Sequence, residues 1–383
     1  MEKIRVHILG MRGIPSTYSG YETFVGELAP RLADRGHDVT VYCRRSLFAE
    51  RPETWKGVKL VYLPSIEHKI FSTLSHSLLA MKRATAARPD IILAVNAATG
   101  WFAWIPRLSG VPLIVNVDGM EWLRPKWSTL GRLMFLNGAR LACRTAAALV
   151  TDAEEMRRLY KEKFGVDSVC IAYGAGVQRS ANPEAVRKYG LTPGKYFMQA
   201  GRLVPDNNAD LVVAAFGLLR GDYELAIVGG AGYRGNAAER SFKDRLQKTA
   251  DKRVRFTGHI DNGEDFRELC CNCLGYIHAH EFGGTNPSLL NALGCGAMVL
   301  ALDTRFNREV LNDGEYGVLF SKTAESLHQA MRRNCDFPDD VLGFKGKAKR
   351  RIQERYTWEQ ITDQYETLFD AVRRHLPPHD GCV

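Results

Sequence analysis

Of its 383 residues, no uninterrupted apolar run approaches the roughly 20 that a membrane-spanning helix needs. LACRTAAALV and LGYIHAH are both too short. No secretory leader is expected either. The opening MEKIRVHILG has no charged stretch followed by an apolar core and a cleavage site, and reads as a first β-strand. These absences predict a cytoplasmic chain, peripheral at most, on the inner face of the plasma membrane. A net charge of +9 calls for anionic partners. Its basic residues are dispersed, however, without a basic tail, a recognition helix or an RNA-binding aromatic signature. Nucleic acid is thereby excluded, leaving phosphorylated substrates and anionic lipid headgroups. Nor is there a solenoid repeat or a low-complexity tract. With 45% hydrophobic and 25% charged residues, the composition excludes disordered and fibrous classes.

Nine cysteines are an odd number scattered through apparent strands and helices, as expected of free thiols in a reducing compartment. Cys270, Cys271 and Cys273 end an apparent helix with no second Cys or His pair at zinc spacing. Packing is their expected role, and no metal site is expected.

What is present is alternation. Short apolar runs (IRVHILG, HDVTVYC, VKLVYLP, DIILAVN, PLIVNVDG, ALVTDA, SVCIAYG) alternate with amphipathic stretches such as YETFVGELAPRLADRG. There Phe24, Leu28 and Leu32 recur at helical spacing and Gly36 closes the helix. The pattern breaks near 176–195 and restarts with YFMQAGR, ELAIVGG, RVRFTGH, LGYIHAH, MVLALD and GVLF. A chain of this length suits two domains. The expected fold is α/β, with two Rossmann-like doubly wound domains facing a central cleft. Expected boundaries are 1–178, 179–355, and a final helical segment, 356–383, crossing back to the first domain. Ligands of such sheets bind beyond the carboxyl ends of the strands.

Four segments occupy that position. Gly10-Met11-Arg12-Gly13-Ile14-Pro15, with Ser19-Gly20-Tyr21-Glu22 after it, combines glycines for close approach with an arginine, an acid and a helix N-terminus. It is not a dinucleotide fingerprint. Asp118-Gly119-Met120-Glu121-Trp122 places two carboxylates and an aromatic face at a strand end, suited to sugar hydroxyls or proton transfer. Gly201-Arg202-Leu203 offers a guanidinium fork for a diphosphate, and Asn207-Asn208 beyond it suits a helix cap. The fourth runs from His278 through His280, Glu281, Gly283, Gly284, Thr285 and Asn286 into a helix beginning near Pro287. Its Gly-Gly-Thr loop suits a phosphate, and Asn291, about one turn in, suits a ribose.

In this order and spacing the four segments resemble family 4 glycosyltransferases of the GT-B fold, and more narrowly the bacterial rhamnosyltransferase-like branch. GMRGIPSTYSGYETFVGELAPRL, NVDGMEWLRPKW, GRLVPDNN and GGTNPSLL carry the likeness, which spans nearly the whole chain. The resemblance implies a retaining, metal-independent transfer of a sugar, rhamnose among the candidates, from a nucleotide diphosphate donor. That donor is a substrate, and no cofactor is implied. The acceptor would be a saccharide or lipid-linked saccharide of surface polysaccharide synthesis, bound by the first domain; the donor would be bound by the second. By position, Gly13, Gly201, Arg202, Asn207, Gly283, Gly284, Thr285, Asn286 and Asn291 fall to the donor. Arg12, Tyr21, Glu22, Glu121 and Trp122 fall to the acceptor, and Arg202, Asp118 and Glu281 to catalysis. Two positions depart from the family pattern. Asn207 stands where a lysine is usual. Asn291 stands where the second glutamate of an E-x7-E pair is expected, with Glu281 displaced from the first. A non-catalytic nucleotide-sugar-binding protein therefore stays open as an alternative. So does a sugar-nucleotide epimerase or phosphorylase on the same two-domain plan.

Overall fold

The computed structural model describes residues 2–15, 20–67, 71–117, 119–124, 127–230, 237–260 and 262–375. The chain divides into two compact units, Met1–Tyr173 with Trp358–Val383, and Gly174–Thr357. Both are built on parallel sheets, in agreement with the predicted fold class.

The first unit contains β1 (Arg5–Leu9), β2 (Asp38–Arg44), β3 (Thr54–Trp55), β4 (Val58–Leu63), β5 (Ile91–Val95), β6 (Leu113–Asn116), β7 (Ala148–Thr151) and β8 (Val169–Cys170). Their order is β3-β4-β2-β1-β5-β6-β7-β8. Only β3 runs antiparallel, paired with β4 through a turn in which Lys56 and Gly57 both take positive φ. The run IILAV of β5 is buried at every position, as befits a central parallel strand covered on both faces. The order reverses between β1 and β5, so the loops leaving these strands flank the switch point where open α/β sheets bind ligands.

Helix Trp358–Arg373 completes this unit. Trp358, Ile361, Tyr365, Leu368, Phe369 and Val372 recur at helical spacing and are all buried. Phe24 of helix Gly20–Asp34 meets the Trp358 ring at 6.5 Å and the Tyr365 ring at 5.4 Å. Full burial of each such side chain contributes about 1.5–3 kcal/mol. Glu366, 6% exposed, locks the contact: it accepts from Arg35 Nη1 at 2.5 Å and pairs with His37 Nε2 at 2.7 Å. The C-terminal part of the chain forms two helices, Pro338–Arg355 and Trp358–Arg373. Between them the chain pauses where Ala175 N donates to the Tyr356 carbonyl at 2.7 Å.

The second unit contains β9 (Tyr196–Ala200), β10 (Glu224–Val228), β11 (Val254–Gly258), β12 (Gly275–His278), β13 (Val299–Leu302) and β14 (Val318–Phe320). They are ordered β11-β10-β9-β12-β13-β14 and all parallel. Phe197, Phe216, Ile277 and Leu300 belong to its apolar core. Cys270, Cys271 and Cys273 are free and buried, as packing residues are. The order reverses between β9 and β12, which sets the loops after Ala200 and after His278 side by side.

Candidate active site

The second unit's site is built on that pair of loops. Gly201 N donates to the Val228 carbonyl at 2.9 Å, which carries the chain off β9 alongside β10. Gly229, at φ +125°, lies so close that a Cβ there would be 2.0 Å from the Gly201 carbonyl oxygen. Only glycine fits this crossing. Arg202 follows, half-buried, and its guanidinium makes no hydrogen bond or ion pair with any described residue. Asn207 fixes the backbone under it: its Nδ2 donates to the Arg202 carbonyl at 2.8 Å, while its own carbonyl accepts from Gln199 Nε2 at 2.7 Å. The loop therefore presents a cation that no carboxylate of the described residues neutralises.

Glu281 sits on the neighbouring loop and is already engaged. Its Oε1 receives Asn208 Nδ2 at 2.9 Å and Lys322 Nζ at 2.5 Å, and its backbone N–H donates to the Asp206 carbonyl at 3.1 Å. Asn208 stands at the N-cap position of helix Ala209–Leu218, yet its side chain does not cap it. It reaches across to Glu281 and to the Ala279 carbonyl at 2.8 Å instead. This corrects the simple cap expected from sequence.

Asn286 caps helix Pro287–Cys295, its Oδ1 accepting from Ser288 N at 3.0 Å and Ser288 Oγ at 2.8 Å. Its Nδ2 lies 2.9 Å from His280 Nδ1, and a Cβ on Gly201 would lie 2.7 Å from His280 Nε2. His280 thus bonds the helix cap and packs closely against the β9 loop. Gly283 takes φ +135°, Gly284 and Thr285 are buried, and Asn291 is half-buried one turn into the helix. His278 is 1% exposed, with no partner for its Nδ1, and burial pushes it down to about 3. It is neutral at physiological pH.

In the first unit, Arg12 N donates to Glu22 Oε1 at 2.8 Å, so the buried Glu22 closes the loop onto the first turn of helix Gly20–Asp34, where Tyr21 also lies. A Cβ on Gly13 would meet Cys43 at 2.7 Å, and Arg44 N donates to the Arg12 carbonyl at 2.7 Å. Glu121 accepts from the Trp127 indole at 2.5 Å and faces Arg124 Nη1 at 3.4 Å. The apolar platform expected of Trp122 is turned inward. It is 7% exposed, packed edge-on against Tyr160 and Phe164 at 5.7 and 5.9 Å, and its burial makes it an anchor. Asp118 lies outside the described residues.

Sequence reasoning missed Lys322 and the reach of Asn208. Lys322 lies beyond β14, and only the strand order brings it to Glu281. Asn208 carried one signal, since asparagine tolerates the left-handed backbone it adopts at φ 51°.

Comparison with known proteins follows the same division. Residues 19–173 match the family model of a glycosyl transferase 4-like domain, and residues 182–349 that of the glycosyl transferases group 1. A phosphatidyl-myo-inositol mannosyltransferase of Mycolicibacterium smegmatis is 25% identical over 374 residues, covering 92% of this chain and 90% of that protein. Among solved structures, a sucrose-phosphate synthase from Thermosynechococcus elongatus superimposes with a TM-score of 0.83 at 18% identity, over 97% of this chain and 100% of that one. Anabaena HepE in complex with UDP-glucose superimposes at 0.76 with 15% identity, over 96% and 100%. At such identities the structural likeness speaks for the fold. A 4-like model on the first sheet and a group 1 model on the second, in that order along one chain, make this protein a member of the family 4 glycosyltransferases of the GT-B fold.

Proposed function

We propose that the protein transfers a sugar from a nucleotide diphosphate donor to a saccharide or lipid-linked saccharide, with retention of configuration and without a metal. The observation that carries this reading is Arg202: a half-buried guanidinium at the switch point with no partner among the described residues. The donor's diphosphate supplies the missing charge. As the glycosidic bond breaks, negative charge grows on the departing diphosphate, and a fixed guanidinium stabilises it in proportion. Gly201, Asn207, Gly283, Gly284, Thr285 and Asn286 shape the donor pocket of the second unit, Asn291 offers an amide to the ribose, and Gly13 is assigned to the donor on sequence alone. Arg12, Tyr21, Glu22 and Glu121 are assigned to the acceptor, Trp122 supporting them from the core. Asp118 is assigned to the donor sugar on sequence alone. Rhamnose is one candidate sugar. The UDP-glucose bound by HepE and the mannosyl transfer named for the mycobacterial relative supply the others to test first. The acceptor's lipid would hold the protein at an anionic membrane surface.

Thermal unfolding with a panel of nucleoside diphosphates and their sugars tests this. A ligand at 100 times its Kd adds about 2.7 kcal/mol, enough to move the midpoint by several degrees. One nucleotide is expected to stand out, and Arg202→Ala to abolish its effect while leaving the unliganded midpoint in place. A panel without any shift refutes the reading.

Glu281 held by Lys322 and Asn208, together with an uncharged Asn291, favours one second reading, a protein that binds nucleotide sugars without turning them over. Binding without release of nucleoside diphosphate on any acceptor would select it.

A further inference from the structure

Three helices of the first unit share a composition that stands apart from the rest of the chain. Phe71–Ala86, Trp104–Leu108 and Thr129–Thr145 carry Lys82, Arg83, Arg107, Arg132, Arg140 and Arg144, and not one Asp or Glu, in a protein with 43 acidic residues. The second and third of these helices form one continuous face. Trp101 Nε1, just before the second, donates to the Met134 carbonyl at 3.0 Å. Arg107 Nη1 donates to the Arg144 carbonyl at 2.7 Å. Between Trp101 and the outer side of the third helix lies an open groove of about 370 Å3, lined by Asn137, Arg140, Leu141 and Arg144. Large apolar side chains of the same two helices stand out into solvent: Trp104 is 52% exposed, Leu108 80%, Leu130 71% and Leu133 48%. Singly, such residues need no explanation; grouped and ringed by one sign of charge, they mark a surface that something covers.

We propose that this face docks on an anionic lipid bilayer, with Trp104, Leu108, Leu130 and Leu133 entering the headgroup region and the arginines pairing with lipid phosphates. The inference rests on the lipid-linked acceptor of the reading above, and it names the surface that would meet the membrane. Charge selects the occupant. A second copy of the chain docked here by two-fold symmetry would set Arg140 and Arg144 against their own counterparts. A layer of lipid phosphates opposes every cation with an anion, and the protruding leucines and tryptophan meet the acyl boundary beneath. No helix among the described residues is long and apolar enough to cross a membrane, so the contact is lateral.

Co-sedimentation of the full chain with vesicles of phosphatidylcholine, with and without phosphatidylglycerol, tests the proposal. The protein is expected to bind only the phosphatidylglycerol vesicles, and to be released by salt. Two variants should each weaken binding roughly tenfold or more: Leu108→Ser/Leu130→Ser/Leu133→Ser by losing the apolar anchor, Arg140→Gln/Arg144→Gln by losing two charges. Both should keep the wild-type unfolding midpoint, which separates lost docking from lost folding. Equal binding to neutral vesicles, no binding by the wild type, or variants that bind like the wild type would overturn it. So would a solution dimer that the triple leucine variant dissolves. Vesicle binding without any nucleotide-dependent thermal shift would leave the docking face standing and remove the donor reading alone.

Discussion

Asn208 and Glu281 meet across the switch point of the second sheet, Asn208 Nδ2 donating to Glu281 Oε1 at 2.9 Å while the same amide holds the Ala279 carbonyl at 2.8 Å. One side chain thus joins the start of helix Ala209–Leu218 to the loop leaving β12. It does so from a left-handed backbone that points it away from its own helix. The two loops of the candidate donor site are held at a fixed spacing by this amide.

Asn208→Ala should therefore destabilise the second unit by about 2–3 kcal/mol, through two lost hydrogen bonds and an alanine forced to positive φ. Asn208→Gly should lose less, about 1–2 kcal/mol, because the backbone is then unstrained. Denaturation must be followed by circular dichroism. All six tryptophans lie in the first unit, so their fluorescence would miss the change.

Tryptophan fluorescence is the proper probe for Glu366. Truncation to alanine leaves Arg35 and His37 without the carboxylate they share at 2.5 and 2.7 Å, and His37 is almost wholly buried. Arg35 keeps Asp363 at 2.6 Å and Glu359 at 2.9 Å, so the loss is that of His37's buried partner, about 1–3 kcal/mol in the first unit. A loss below 1 kcal/mol would mean that solvent replaces the carboxylate.

Gly229→Ala should damage nucleotide binding from a position that carries no polar side chain. Its Cβ would lie 2.0 Å from the Gly201 carbonyl, so the Gly201–Arg202 loop must move. Affinity for the selected nucleoside diphosphate, read by calorimetry, is expected to fall at least ~10-fold, as for a misplaced charge-assisted contact of about 1.4 kcal/mol. Unchanged affinity in a folded variant would place the diphosphate elsewhere.

Acid sensitivity should trace in part to His278. Burial lowers it from 6.5 to about 3, so between these values the unfolded chain binds the proton and the folded chain does not. Its contribution is complete above pH 6.5 and is lost progressively as pH falls toward 3. His7 and His76, both held down to about 4 by burial, act in the same direction. His278→Phe should flatten the dependence of stability on pH between 6.5 and 4 without abolishing it. Urea midpoints at several pH values would show the change in slope.

The strands were legible because parallel strands buried on both faces are written as continuous apolar runs, and IILAV became β5 on that account. The loops at their carboxyl ends were legible from glycine, Pro287 and Asn286. Strand order was not, since the adjacency of β9 and β12 is a property of the assembled sheet. Every relationship that depends on it escaped sequence reading, including the Lys322–Glu281 pair and the close packing of His280 against Gly201. The short β3 escaped as well, because two residues cannot display a period. Trp122 shows the opposite failure. Its type suggested a sugar platform, and only its burial against Tyr160 and Phe164 shows an anchor.

The split of the first unit across the chain sets an order of assembly during translation. Residues 1–173 emerge before the second unit, but the helix carrying Trp358, Tyr365 and Phe369 into their core follows that unit. The continuous second unit, Gly174–Thr357, can finish first. A nascent chain stalled before Trp358 would therefore carry a mature second half and a first half still exposing its unsealed apolar face to chaperones.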